Sequence, residues 1–194
     1  MTEIRSLCIY CGSAGAVPES HKAAAQRLGR LVAEAGITLV YGGGRVGLMG
    51  IAADAALAAD GKVIGVIPQL LVDAEAGHGG VSELHVVDSM HERKHKMFEL
   101  SDAFVILPGG LGTLDATFEI ITWRQLRLHD RPIVLVNEGG YWAPLLALFA
   151  AMHEAGYVRP AHTNLFQVVA RVEEVLPSLA TAPAPRRVAE PAQL

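Results

Sequence analysis

"AFVILPGGLGTLDATFEII" (residues 103–121) decides the fold. A β-branched apolar run gives way to a proline and three glycines, then to residues with helical spacing. Read as strand, turn and helix, it is half of a βαβ unit. The rest of the chain repeats the rhythm. Apolar runs "SLCIY", "ITLVY", "KVIGVI", "ELHVV", "PIVLV" and "LFQVV" alternate with amphipathic segments over 22–35, 48–59, 90–100 and 114–128. Strands separated by helices call for right-handed crossovers and a parallel sheet covered on both faces. Continuous apolar strands fit that burial. The expected architecture is α/β: a Rossmann-like, doubly wound open parallel sheet in a single domain over residues 1–180. The segment 145–152 reads as core packing. From residue 181 onward "TAPAPRRVAEPAQL" has the Pro- and Ala-rich, aperiodic composition of a disordered tail.

Composition narrows the function. Apolar residues make up 51% of the chain and charged ones 19%, the balance of a folded globular domain. A net charge of −4 argues against a nucleic-acid or anionic-membrane partner. The longest nearly apolar run, 143–152, is too short to span a bilayer. The first residues have neither the basic start nor the apolar core of a signal peptide, so a cytoplasmic protein is expected. Cys8 and Cys11 form a C-x-x-C at a strand end, where residues three apart face opposite sides of a sheet. Two strand cysteines are a better reading than a redox or metal pair.

Ligands of doubly wound sheets bind outside the carboxyl ends of the strands, so the residues after each strand carry the functional information. After "ITLVY" stands "GGGRVGLMG" (42–50), a literal G-x-G-x-x-G. The dinucleotide reading also needs an acidic residue about 20 positions on, and "VIGVIPQ" supplies a proline instead. What remains is a glycine turn at a helix start, suited to an anion or to tight strand–helix packing.

After "ELHVVDS" stands "MHERKHKM" (90–97). His91 to His95 is a literal H-E-x-x-H, the pattern of a zinc hydrolase. Phe98 replaces the glycine of the longer zinc motif, the α/β rhythm suits that class poorly, and no metal is expected. Helical spacing instead puts Met90, Arg93, Lys94 and Met97 on one stripe. Two cations flanked by methionines suit an anion-and-ring pocket, or else a solvated basic face.

After "AFVIL", Pro108 ends the strand, Gly109, Gly110 and Gly112 make the turn, and Thr113 offers an N-cap. Backbone N–H groups at the helix start point into the space the glycines leave, an arrangement that suits a phosphate. A tight turn without a ligand is the alternative. The fourth and fifth strands are expected to be neighbours, which would set the Arg93 stripe and the glycine turn on one crevice. That is the outline of a nucleoside monophosphate site.

"YGGGRVGLMG", "MHERKHKM" and "PGGLGTLDATFEIITWRQL" closely resemble the LOG family, the cytokinin riboside 5′-monophosphate phosphoribohydrolases, whose signature is P-G-G-x-G-T-x-x-E. The resemblance runs in order from "CIYCGS" to about residue 158. It implies hydrolysis of the N-glycosidic bond of an adenosine 5′-monophosphate, commonly N6-substituted, to free base and ribose 5-phosphate, without a cofactor. It places the catalytic arginine on Arg93, with Lys94 beside it, and the phosphate-binding turn on Gly110, Leu111, Gly112, Thr113, Leu114 and Asp115. A substrate-contacting glutamate corresponds to Glu75 and a threonine beyond the motif to Thr122. Met90 from the stripe and Gly109 from the turn complete the expected set. A homodimer is implied too, and "ITWRQLRLH" (121–129), with Trp123 and Leu126, is a candidate surface for it.

Ala116 is the departure: the signature puts a glutamate there. Breaking a nucleoside C1′–N bond builds positive charge on the ribose, which an adjacent carboxylate stabilises. Three explanations compete. Glutamate was replaced by alanine so that substrate is held without turnover, which the intact flanking motif favours. Alternatively the work passed to Asp115 or Glu119, on nearly the same helical face, or the chain is a non-catalytic binder or carrier of a phosphorylated ligand.

Overall fold

The computed structural model describes residues 4–72, 77–158 and 164–181. Seven parallel strands form one sheet: β1 (Ser6–Tyr10), β2 (Thr38–Tyr41), β3 (Val63–Pro68), β4 (Glu83–Val87), β5 (Ala103–Ile106), β6 (Ile133–Val136) and β7 (Gln167–Val169). Between and after them run α1 (Glu19–Glu34), α2 (Gly47–Leu57), α3 (Gln69–Val72), α4 (Met90–Glu99), α5 (Leu111–Gln125), α6 (Ala143–Glu154) and α7 (Val175–Thr181). Of the tail expected from residue 181, Thr181 instead ends α7 and the rest lies outside the described residues, as does Glu75.

Two apolar layers sandwich the sheet, because successive strand side chains alternate between its faces. Leu7, Ile9, Leu39, Tyr41 and Val105 pack with Leu28 and Val32 of α1 and Ala52 of α2. Cys8, Tyr10, Val40, Phe104 and Ile106 pack with Met97 of α4 and Ile120 of α5 on the other face. Cys8 and Cys11 fall in different layers, and burial pushes the Cys8 thiol up to about 12.

The strand order is β4-β3-β2-β1-β5-β6-β7. The chain winds outward from β1 to β4, then returns through α4 to place β5 against the other side of β1. This corrects the expectation that the fourth and fifth strands adjoin: β4 is an edge strand, separated from β5 by β3, β2 and β1. The order reverses between β1 and β5, and a crevice opens at such a switch point. There Gly12 N–H donates to the Pro108 carbonyl at 3.0 Å, and Leu48 N–H to the Gly12 carbonyl at 3.0 Å.

Two local expectations also change. Helix α5 starts at Leu111 with Gly110 as its N-cap, so Thr113 is a buried first-turn residue and not the cap. Helix α6 has no fully buried side chain: Leu145 and Phe149 lean on the second layer, while Leu148 is exposed. Its sequence is apolar all round, which conceals which face packs. Among the described residues no helix is long and apolar enough to cross a membrane.

Candidate active site

A cavity of about 580 Å³ opens above the β1–β5 switch point. Four helix starts converge on it. Pro18 and His21 come from α1 and the residues before it, Leu48 and Met49 from α2, Met90, Arg93, Lys94 and Met97 from α4, and Leu111 to Thr113 with Ala116 from α5. The stripe read from helical spacing therefore does face one pocket, together with the glycine turn.

Helix α4 is held at its start by Ser89, which accepts from Glu92 N–H at 3.1 Å, while Glu92 accepts from Asp88 N–H at 2.9 Å. This is close to a capping box. It aims the next residue, Arg93, at the strand tips. Arg93 is buried; its Nε donates to the Val66 carbonyl of β3 at 3.1 Å and its guanidinium also donates to the Gly42 carbonyl. A third nitrogen meets Met90 Sδ at 3.7 Å. A Cβ on Gly42 would collide with this guanidinium, which is why a glycine directly follows strand β2. His91 and His95 lie on the opposite, exposed face of α4, where His95 meets Glu99 at 3.2 Å.

Lys94 takes a different direction. Its ammonium lies 2.9 Å from Asp115 and 3.2 Å from Glu119. Both acids that could stand in for a residue-116 carboxylate are thus engaged with a cation. Neither is on the cavity wall. Ala116 is on the wall, buried between them in sequence and presenting only a methyl group.

The glycines of the turn do different things. A Cβ on Gly109 would collide with Thr113 Oγ1 and with the Gly12 backbone, so that glycine is required by packing. Beyond Gly110 and Gly112 there is nothing within 4 Å of an added Cβ. Both line the cavity, and the space they leave is ligand space. The first-turn N–H groups of α5 point out of the helix unpaired, as at any helix start, and attract an anion.

Gly109, Gly110, Leu111, Gly112, Thr113, Met90, Arg93, Lys94 and Ala116 all line the cavity. Leu114, Asp115 and Thr122 do not. Rotation of 100° per helical residue turns Leu114 into the second apolar layer and leaves Asp115 and Thr122 exposed. Among the wall residues that escaped the sequence reading are Gly12, His21 and Tyr141. Tyr141 donates from its hydroxyl to the Gly109 carbonyl at 2.8 Å. The "CGS" following β1 held a signal, since it is a glycine after a strand, but its cysteine spacing drew attention away.

Comparison with known proteins gives the family and the fold. Residues 49–179 match the family model described as "Possible lysine decarboxylase". A cytokinin riboside 5′-monophosphate phosphoribohydrolase of Rhodococcoides fascians is 42% identical over 90% of this chain and 89% of its own. One from Arabidopsis thaliana is 39% identical over 97% of this chain and 88% of its own. Among solved structures, the molybdenum cofactor carrier protein of Chlamydomonas reinhardtii shares the fold, with a TM-score of 0.70 at 21% identity, covering 92% of this chain and 97% of that one. A molybdenum cofactor binding protein of Rippkaea orientalis does likewise, with 0.70 and 21%, over 93% and 100%. With a family model spanning most of its length and relatives near 40% identity over nine-tenths of it, this chain belongs to the LOG family.

Proposed function

We propose that this chain binds an adenosine 5′-monophosphate, N6-substituted or plain, in the switch-point cavity, and that its reaction is hydrolysis of the N-glycosidic bond to free base and ribose 5-phosphate. The observation that carries this is a single cavity with the α5 glycine turn and Arg93 both on its wall. The phosphoryl group sits on the first-turn N–H groups of α5, in the space beside Gly110 and Gly112. Arg93, Met90 and Met97 then meet the sugar and base.

Ala116 leaves that chemistry impaired. A carboxylate at residue 116 would project from the wall toward the ribose, where positive charge grows as C1′–N breaks. Without it the oxocarbenium-like state lacks its counter-charge, and Asp115 and Glu119 are held by Lys94 instead. The same observation favours a second reading, binding of the nucleotide without turnover.

The test is release of base from AMP and N6-isopentenyl-AMP by this chain and by Ala116→Glu, followed by chromatography. Release that rises by at least a hundredfold in Ala116→Glu is expected, the scale of one lost catalytic group. Binding without release in both would favour the second reading; absence of binding in both defeats the nucleotide assignment. We further propose a cytoplasmic homodimer. Leu126 and Leu128, just after α5, are exposed, while Trp123 is half-buried edge-on against Phe98, so the two leucines are the apolar surface this stretch offers a second copy.

A further inference from the structure

His21 is a buried polar side chain that the proposed reaction leaves unused. It stands in the first turn of α1, is 9% exposed, and lines the cavity. Among the described residues its imidazole has no hydrogen-bond partner; its ring contact is with Tyr141, met edge-on at 5.2 Å and 80°. An imidazole carries an N–H donor in either tautomer, and here it opens on the cavity instead of on a protein acceptor. A donor kept in that state on a cavity wall has its partner among what enters the cavity.

The position says which part of the ligand that is. Tyr141 bonds the Gly109 carbonyl, so the contacts His21 to Tyr141 to Gly109 set the imidazole at the glycine-turn end of the cavity. Helix α1 packs on the sheet face opposite α4 and α5. His21 therefore approaches the turn from the side away from Ala116. Its neighbour Lys22 is turned to Glu19 at 2.6 Å. A phosphate monoester has three terminal oxygens, and the N–H groups of α5 serve it from one side.

We propose that His21 is a further ligand of the nucleotide's phosphoryl group, donating a ring N–H to a phosphate oxygen from the face opposite α5. The proposal rests on the nucleotide reading above. It adds a side-chain donor to a site otherwise built from backbone.

Binding of AMP and of adenosine to the full chain, measured by titration calorimetry for the unmodified protein, His21→Phe and His21→Gln, tests it. Phenylalanine keeps a ring against Tyr141 without a donor, and glutamine keeps a donor. His21→Phe is expected to bind AMP about tenfold more weakly, the scale of one hydrogen bond to a charged group, with adenosine unchanged. His21→Gln regains part of the loss. In the unmodified chain the His21 imidazole resonance, assigned by its disappearance in His21→Gln, shifts with AMP and not with adenosine. This readout holds even if the phenylalanine variant fails to fold. Unchanged AMP affinity in His21→Phe, equal losses for AMP and adenosine, a glutamine variant as weak as phenylalanine, or an unmoved resonance would each overturn it. If the unmodified chain binds AMP and His21→Phe binds it equally, this inference alone fails; if the unmodified chain does not bind AMP, the nucleotide reading fails with it.

Discussion

Lys94 Nζ stands 2.9 Å from Asp115 Oδ2, tying α4 to α5 directly behind the methyl group of Ala116 in the chain. Glu119, at 3.2 Å, completes the cluster. Burial alone would lower the lysine's pKa, but the two carboxylates outweigh it and hold it above the ordinary value. A raised folded pKa means the pairing stabilises the fold fully below the unfolded pKa, about 10, and is lost as pH rises through the folded one. Lys94→Met should therefore be less stable near pH 7 by about 1.5–3 kcal/mol, the range for hydrogen bonds to charged groups. Urea unfolding at pH 7 and pH 11 checks this: the gap between the two proteins narrows at the higher pH. A gap independent of pH would remove the cluster from the stability of the fold.

His129 gives the acid side of the same profile. Its Nε2 meets the Ile120 carbonyl at 2.8 Å and its Nδ1 accepts from Arg131 N–H at 3.1 Å, so the neutral ring satisfies both partners. Burial pushes its pKa down to about 4; Arg124 and Arg131 add to the shift, while the Ile120 bond opposes it. A depressed histidine is neutral in the fold while the unfolded chain takes up a proton. Stability is thus full above about pH 6.5 and falls as pH drops toward 4. At roughly 1.4 kcal/mol per pH unit, the loss from this one ring is about 3 kcal/mol. His129→Gln, compared by urea unfolding from pH 7 to pH 4, should lack that portion of the decline.

Tyr141→Phe isolates the support of the glycine turn. Tyr141 is exposed, and its hydroxyl bond to Gly109 is a surface bond worth no more than about 1 kcal/mol to the fold. Its larger effect is on geometry, because the freed Gly109 carbonyl lets the turn relax away from the position a phosphate needs. AMP affinity should drop several-fold while the melting temperature moves by a few degrees at most. Equal affinity in both proteins would show the turn to be rigid without the tyrosine.

Much of this was legible in the sequence, and the limits have physical causes. Strand positions followed from apolar runs, and "ELHVV" matched β4 residue for residue. The Met90, Arg93, Lys94, Met97 stripe followed from helical spacing, which is a property of one element. Strand order is a property of the whole sheet, and the chain segment joining β4 to β5 says nothing of the three strands between them. The helix start was misplaced by three residues because Thr113 looks like a cap, whereas its hydroxyl is packed under Gly109. His21 carried no signal at all: a single histidine on an amphipathic helix becomes informative when its burial and lack of a partner are known. The capping pattern Ser89 to Glu92 was readable but overlaps the H-E-x-x-H match at His91 and Glu92, which drew the eye to the wrong face of α4.

The glycine turn supplies the sharpest separation between fold and function. Gly109→Ala drives a Cβ into Thr113 Oγ1 and the Gly12 backbone, and neither is the free end of a flexible side chain. It should cost roughly 1–3 kcal/mol, the range for overpacking a tight site. Gly110→Ala and Gly112→Ala meet open space, and φ at Gly110 is −99°, which alanine adopts readily. Gly112 lies inside α5, where alanine is the better helix former by about 1 kcal/mol. Both variants should fold with unchanged or slightly higher stability. If the emptiness at these two positions serves a phosphate, both should nonetheless bind AMP at least tenfold more weakly, since a methyl group then stands where phosphate oxygens reach the α5 N–H groups. Thermal unfolding and calorimetric titration on the three variants separate the effects. Full AMP affinity in Gly110→Ala and Gly112→Ala would mean that the turn is bare for its own sake, and that the phosphoryl group binds elsewhere in the cavity.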